Sequence, residues 1–182
     1  MILGVTWSMS GRKPVVSNSS PLIWMAKIGK LTLLKTVFGV IVVPRKVYEE
    51  ATLDKQSADS VLISKAVEDG CLEVSEEKME EARVLADRCG VHLGEAEAIL
   101  LAQKLGTELI IDEREGSVTA QIFGVRPLGT IAVLLLALGR GRLTHDGFKE
   151  CLDSLIASGF WLSVDVYNRA LGEAQSIAKR KE

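Results

Sequence analysis

At 182 residues the chain is long enough for one compact domain that buries roughly 70% of the surface its unfolded form exposes, so folding requires neither disulfides nor a structural metal. A formal charge of -2 excludes a broadly basic nucleic-acid binder and leaves room only for a local basic groove. The three cysteines, Cys71, Cys89 and Cys151, are odd in number and lack CxxC spacing, which excludes a disulfide framework and a zinc cluster and fits a reducing, cytoplasmic setting.

The first thirteen residues, MILGVTWSMSGRK, show no period, and Met9 is a candidate start of translation. Residues 1–14 are therefore read as an N-terminal extension or a mis-assigned start, 15–175 as a single domain and 176–182 as a charged tail. No basic-then-apolar leader opens the chain, and the longest apolar run, IAVLLLAL at 131–138, falls well short of the roughly 20 residues that span a bilayer. No membrane segment is expected.

Residues 15–18 read as a short buried strand, followed by a helix from about Pro21 to Gly29 in which Ser19 and Ser20 serve as capping residues. LTLLKTVFG at 31–39 is a second helical piece closed by glycine. VIVV at 40–43 is a buried strand, stopped by Pro44, which starts the helix PRKVYEEATL. ADSVLISKAVEDG is helical, CLEVSE at 71–76 alternates like a short strand, and EKMEEARVLADRCG at 77–90 is an amphipathic helix. GEAEAILLAQKLG at 94–106 is a helix, TELIID at 107–112 a core-type strand ending at Asp112, REGSVTAQIFG a helix and VRPL a last short strand. From Gly129 the chain is mostly helical, interrupted at SGFWLSV. Short apolar strands alternating with helices predict an α/β fold with a short parallel sheet covered on both faces.

Several polar residues fall toward the carboxyl edge of that sheet, where open α/β folds bind ligands. Asn18 ends the first strand, Glu49 and Glu50 lie in the helix after the second, and Asp112 ends a later one, beside Glu113 and Glu115. Glu95 and Glu97 open a helix that is otherwise almost wholly apolar, so at least one of them needs a partner or a cation. Two positions on a helix differ by about 200°, so the pair cannot both face one pocket. Glu95 is also explained as a first-turn acid in the helix dipole, Glu49 and Glu50 as a solvated face, and Asp112 as a turn or N-cap residue. The combination points further, because hard divalent cations take oxygen ligands converging from separate elements. His92 and His145 are isolated and read as surface or loop residues, and Ser19 and Ser20 lack a histidine partner for nucleophilic catalysis.

The order and spacing of these stretches resemble the PIN-domain family, which includes metal-dependent ribonucleases and the toxins of VapBC-type toxin–antitoxin pairs. VVSNSSPLI looks like the family's first strand, where an Asp followed by a hydroxyl pair is usual. VIVVPRKVYEEA looks like the second motif, with the acid on Glu50 through its spacing from Val47. GEAEAILLA resembles the third, whose acid precedes Ala-Ile and so falls on Glu97 rather than Glu95. LIIDEREG resembles the fourth, headed by Asp112, and GTIAVLLLALGRG and GFWLSVDVYNRAL look like the tail of a subgroup of predicted prokaryotic nucleic-acid-binding PIN proteins.

The resemblance covers Val15 to Leu171 and implies a three-layer α/β/α fold. It further implies a toxin-type, Mg²⁺- or Mn²⁺-dependent endoribonuclease. The implied catalytic acids are Glu50, Glu97 and Asp112, with Asn18 as a fourth metal ligand, Ser20 in support, and Glu95, Glu113 and Glu115 in reserve. RNA backbone contacts would come from Lys27, Lys30, Arg45, Lys46 and Arg114. A small antitoxin and a homodimer are the expected protein partners. Asn18 departs from the family pattern, since its neutral oxygen removes one negative charge from the site. A PIN domain that binds RNA or protein without cutting is therefore the first alternative. A phosphatase or phospho-acceptor is the second, and it lacks the first-strand Asp such chemistry needs.

Overall fold

The computed structural model describes residues 13–180, so residues 1–12 of the proposed extension, with the alternative start at Met9, lie outside the described residues. Five short strands form one parallel sheet in the order β3-β2-β1-β4-β5. They are β1 (Val15–Ser17), β2 (Ile41–Pro44), β3 (Glu73–Ser75), β4 (Leu109–Ile110) and β5 (Pro127–Leu128). The register runs Val16 to Val42 on one side and Val16 to Leu109 on the other. Residues such as Val16, Ile41, Val43, Leu109 and Ile110 are fully buried, as continuous apolar strands are when helices cover both faces.

Ten helices connect and follow the strands among the described residues. On the way from β1 to β3 come α1 (Ser19–Lys27), α2 (Leu31–Phe38), α3 (Arg45–Ala51) and α4 (Ala58–Glu68). From β3 to β5 come α5 (Ala82–Cys89), α6 (Leu93–Leu105) and α7 (Arg114–Ile122). By the usual right-handed crossover the two groups cover opposite faces; α1 packs with α3 and α4, α6 packs on β1 and β2 with α5 and α7 beside it, and α3 also meets α6. The chain closes with α8 (Thr130–Gly139), α9 (His145–Ala157) and α10 (Val164–Lys179), where α8 packs on α1 and α2 and the last two helices pack on α8. The result is the three-layer α/β/α architecture. None of the helices among the described residues is long and apolar enough to cross a membrane.

The element boundaries shift in three places. The first helix begins at Ser19, two residues before the expected Pro21, because Ser19 and Ser20 enter the helix and Asn18 is the residue that precedes it. Pro44 belongs to β2 and precedes α3 instead of opening it. The helix expected from Glu77 starts only at Ala82; Glu76, Glu77, Glu80 and Glu81 would stack like charges on successive turns, and Glu76 and Glu77 instead pair with Arg45 and Lys104. In addition, α10 runs on to Lys179, so residues 176–179 of the expected tail form its last turn.

Candidate metal and nucleic-acid site

In the strand order, β1 lies between β2 and β4, which are reached by chain departures in opposite directions. This is the switch point of a doubly wound sheet, and the crevice beyond the carboxyl ends of β1 and β4 is where such folds bind ligands. Asn18 and Asp112 follow those two strands. The backbone N–H of Asn18 donates to the Ile110 carbonyl at 2.8 Å and that of Ile111 to Leu128 at 2.9 Å, so sheet-like bonding fixes the chain up to the site.

Asn18 is only 2% exposed. Its Nδ2 donates to Glu113 Oε2 at 3.1 Å, and because a carboxylate accepts and never donates, this bond fixes the amide's orientation. Its Oδ1 is then left buried without a hydrogen-bond partner. A buried carbonyl without a protein donor is costly, and its lone pairs are free to accept from an electropositive group.

Asp112 has both oxygens engaged by the first residue of α8: Oδ1 accepts from the Thr130 N–H and Oδ2 from the Thr130 hydroxyl, each at 2.7 Å. Burial pushes the Asp112 carboxyl up from its ordinary value, the two Thr130 bonds oppose the rise, and the Glu113 charge adds to it. Thr130 itself is fully buried. Gly129 leaves room for the arrangement, since a Cβ there would lie 3.3 Å from Asp112 Oδ1.

Glu95 is 5% exposed and turned inward. Its Oε2 accepts the His92 N–H at 2.8 Å, closing the first turn of α6, while its other oxygen faces Gly116, where a Cβ would stand 3.5 Å away. Burial raises the Glu95 carboxyl first, the His92 bond opposes it, and the charges of Glu113 and Glu115 raise it further. Glu50, half-buried on α3, lies against Gly94. A Cβ on Gly94 would sit 2.8 Å from Oε1 and 2.9 Å from the carboxyl carbon, and closer still to Oε2. Its carboxyl is also pushed up, mainly by burial, with Lys46 and His92 opposing and Glu95 and Glu97 contributing.

The remaining sequence candidates are distributed around this cluster. Glu97 is partly exposed, and its charge is felt by Glu50. It lines a surface groove of ≈ 540 Å³ with Lys46, Glu49 and Arg83; burial raises its carboxyl, and a Lys46 hydrogen bond and charge oppose that. Glu95 therefore takes the inward position of the pair. Glu49 is exposed and pairs with Lys46 at 4.0 Å. Glu115 is exposed in the first turn of α7. Ser20 is partly exposed in the first turn of α1, and neither serine before Pro21 makes a capping bond.

Of the cations, Lys46 acts on both Glu50 and Glu97, and Arg114, exposed, follows Glu113 directly. Arg45 is tied to Glu76 and to the Tyr48 ring. Lys27 stands about 12 Å along α1 from its start, over the Trp24 ring, and the charge of Lys30 is felt by the Cys151 thiol on α9. Those last two belong to the far end of α1. Gly94, Gly116 and Thr130 were not among the sequence candidates; the Gly-Glu of GEAEA and the Gly-Thr that follows β5 were the available signals.

Among the described residues no three Asp, Glu, His or Cys side chains already converge on a single point. The donor chemistry nevertheless fits a hard divalent cation: carboxylates from α3, α6 and the end of β4, plus one neutral, buried, partnerless oxygen, with no sulfur or nitrogen among them. A protein-family model described as a PIN domain matches residues 14–176. No curated protein and no solved structure matches the chain.

Proposed function

Since the chain belongs to the PIN-domain family, whose fold is of the nuclease type, we propose that it hydrolyses RNA phosphodiesters with Mg²⁺ or Mn²⁺ held by Asn18, Glu50, Glu95 and Asp112. The observation that carries this reading is the unpartnered Oδ1 of Asn18, buried at the switch point of the sheet while its amide nitrogen bonds to the Glu113 carboxylate. A bound divalent cation supplies an activated water and stabilises the charge that develops on the phosphodiester.

The chain's own residues do the rest. Thr130 holds Asp112 in one rotamer through two bonds. Gly94 lets the Glu50 carboxylate lie against the start of α6, and the His92 N–H orients Glu95. Lys46 and Arg114 flank the cluster and offer positive charge to backbone phosphates. The toxin-type role, with a small antitoxin, a homodimer and a cytoplasmic setting, is part of the same proposal and rests on the resemblance of the four sequence motifs.

The test is cleavage of a mixed set of structured RNAs by the full chain with Mn²⁺ or Mg²⁺, with EDTA and Asp112→Asn as controls. Metal-dependent cutting that disappears in both controls is the expected result. A second reading is favoured by one observation, the replacement of the first acid by Asn18: a domain that binds RNA or a partner protein without cutting. Wild-type protein that leaves every RNA intact, together with cutting gained by Asn18→Asp, selects that reading.

A further inference from the structure

Asn18 and Glu113 stand immediately before two different helices, α1 and α7, in the position from which a side chain ordinarily caps its own helix. Neither side chain caps. They bond to each other across 95 residues of sequence, Asn18 Nδ2 to Glu113 Oε2. The local cap that an Asn ordinarily supplies is thus forgone for one long-range bond, and the buried Asn18 Oδ1 is left without a donor.

An amide and a carboxylate differ in what they offer a cation. Asn18 supplies an oxygen and no charge. Glu113 supplies the charge, and its field reaches both Glu95 and Asp112. Resting on the reading that this cluster takes a divalent cation, we propose that Asn18 and Glu113 act together as one anionic oxygen donor. Asn18 presents the buried oxygen, Glu113 restores the negative charge that an Asp at the end of β1 would carry, and the N–H···O bond keeps the two in register.

Binding of Mn²⁺ to the full chain, measured by calorimetric titration alongside thermal melts, tests this without any appeal to catalysis. Glu113→Gln is expected to weaken Mn²⁺ binding about tenfold or more, in the range found when groups that orient metal ligands are removed. The exchange variant Asn18→Asp with Glu113→Gln returns the carboxylate to β1 and keeps the bond with its polarity reversed, so its affinity is expected to return to within about threefold of wild type. Glu108→Gln, at the opposite edge of the sheet, controls for net charge and is expected to leave binding unchanged.

Folded Glu113→Gln that binds Mn²⁺ like wild type overturns the inference, as does an exchange variant no better than Glu113→Gln. Should Glu113→Gln fail to fold, the exchange variant decides alone: wild-type affinity supports the pairing and a loss of about tenfold overturns it. Wild-type protein that does not bind Mn²⁺ removes the metal reading of the cluster itself. Binding that is intact in wild type and indifferent to Glu113 removes only the pairing.

Discussion

Replacing Gly94 by alanine puts a methyl group where the Glu50 carboxylate lies. The new Cβ would stand 2.8 Å from Oε1 and 2.9 Å from the carboxyl carbon, and closer to Oε2, against an ordinary contact of 3.4 Å or more. The carboxylate must therefore retreat by about 1 Å, since repulsion at these separations is steep. Retreat is inexpensive for the fold, because the displaced group is the free end of a flexible, half-buried side chain. Alanine in place of glycine near the start of α6 also favours the helix by up to about 1 kcal/mol. The two effects leave stability within about 1 kcal/mol of wild type, a change of roughly 2–4 °C in melting temperature for a chain of this size.

Function responds differently, because a reacting or ligating group misplaced by about 1 Å loses roughly a hundredfold in rate. Gly94→Ala should thus melt like wild type, show a diminished melting shift on adding Mn²⁺, and cut RNA about a hundredfold more slowly. The assays are circular-dichroism melts with and without Mn²⁺ and a time course of RNA cleavage. Folded Gly94→Ala with cleavage and Mn²⁺ response within about twofold of wild type would refute the assignment of Glu50 to the site.

Thr130→Val removes the hydroxyl bond to Asp112 Oδ2 while leaving the backbone bond; urea melts should register a loss of about 1–2 kcal/mol, and Thr130→Ser should recover it. Asn18→Asp places a second carboxylate beside Glu113 and loses the Nδ2 donor, so metal-free protein should lose about 1–3 kcal/mol while Mn²⁺-supported cleavage rises; unchanged cleavage would mean Asn18 lies outside the reaction. The raised carboxyls of Glu50, Glu95 and Asp112 set a pH dependence of definite sign. The folded state holds these protons more tightly than the unfolded chain, so their contribution is fully present below the unfolded values of 4.5 for Glu and 3.8 for Asp and is lost as pH rises through the raised folded values. In EDTA, Glu95→Gln should lose less stability than wild type across that window, and parallel curves for the two proteins would contradict the sign.

Continuous apolar runs such as Val15–Val16, Ile41–Val43 and Leu109–Ile111 are legible as core strands because both faces of this sheet are covered. The sheet order follows from the βα alternation, and the carboxyl edge from the sheet order. The choice between Glu95 and Glu97 was harder, because spacing to Ala-Ile selects Glu97 whereas the structure turns Glu95 inward. The helix carries only a weak signal in its period: Glu95 shares a face with buried Ile99 and Ala102, while Glu97 shares one with buried Leu101 and exposed Lys104. Most of α6 is apolar, so that period is faint against its background. The Asn18–Glu113 bond was out of reach, since residues 95 positions apart carry no local sign of meeting.

The grip of Thr130 on Asp112 joins residues separated by 18 positions, and the helix that delivers Thr130 packs on α1 and α2. During synthesis the acid is made before its clamp, by roughly one to four seconds at cellular elongation rates. A nascent chain that has emerged only through β4 carries Asp112 with nothing to hold it. The order of translation thus delays the fixing of Asp112 until α8 has emerged and docked, so the carboxyl edge of the sheet is completed late in synthesis.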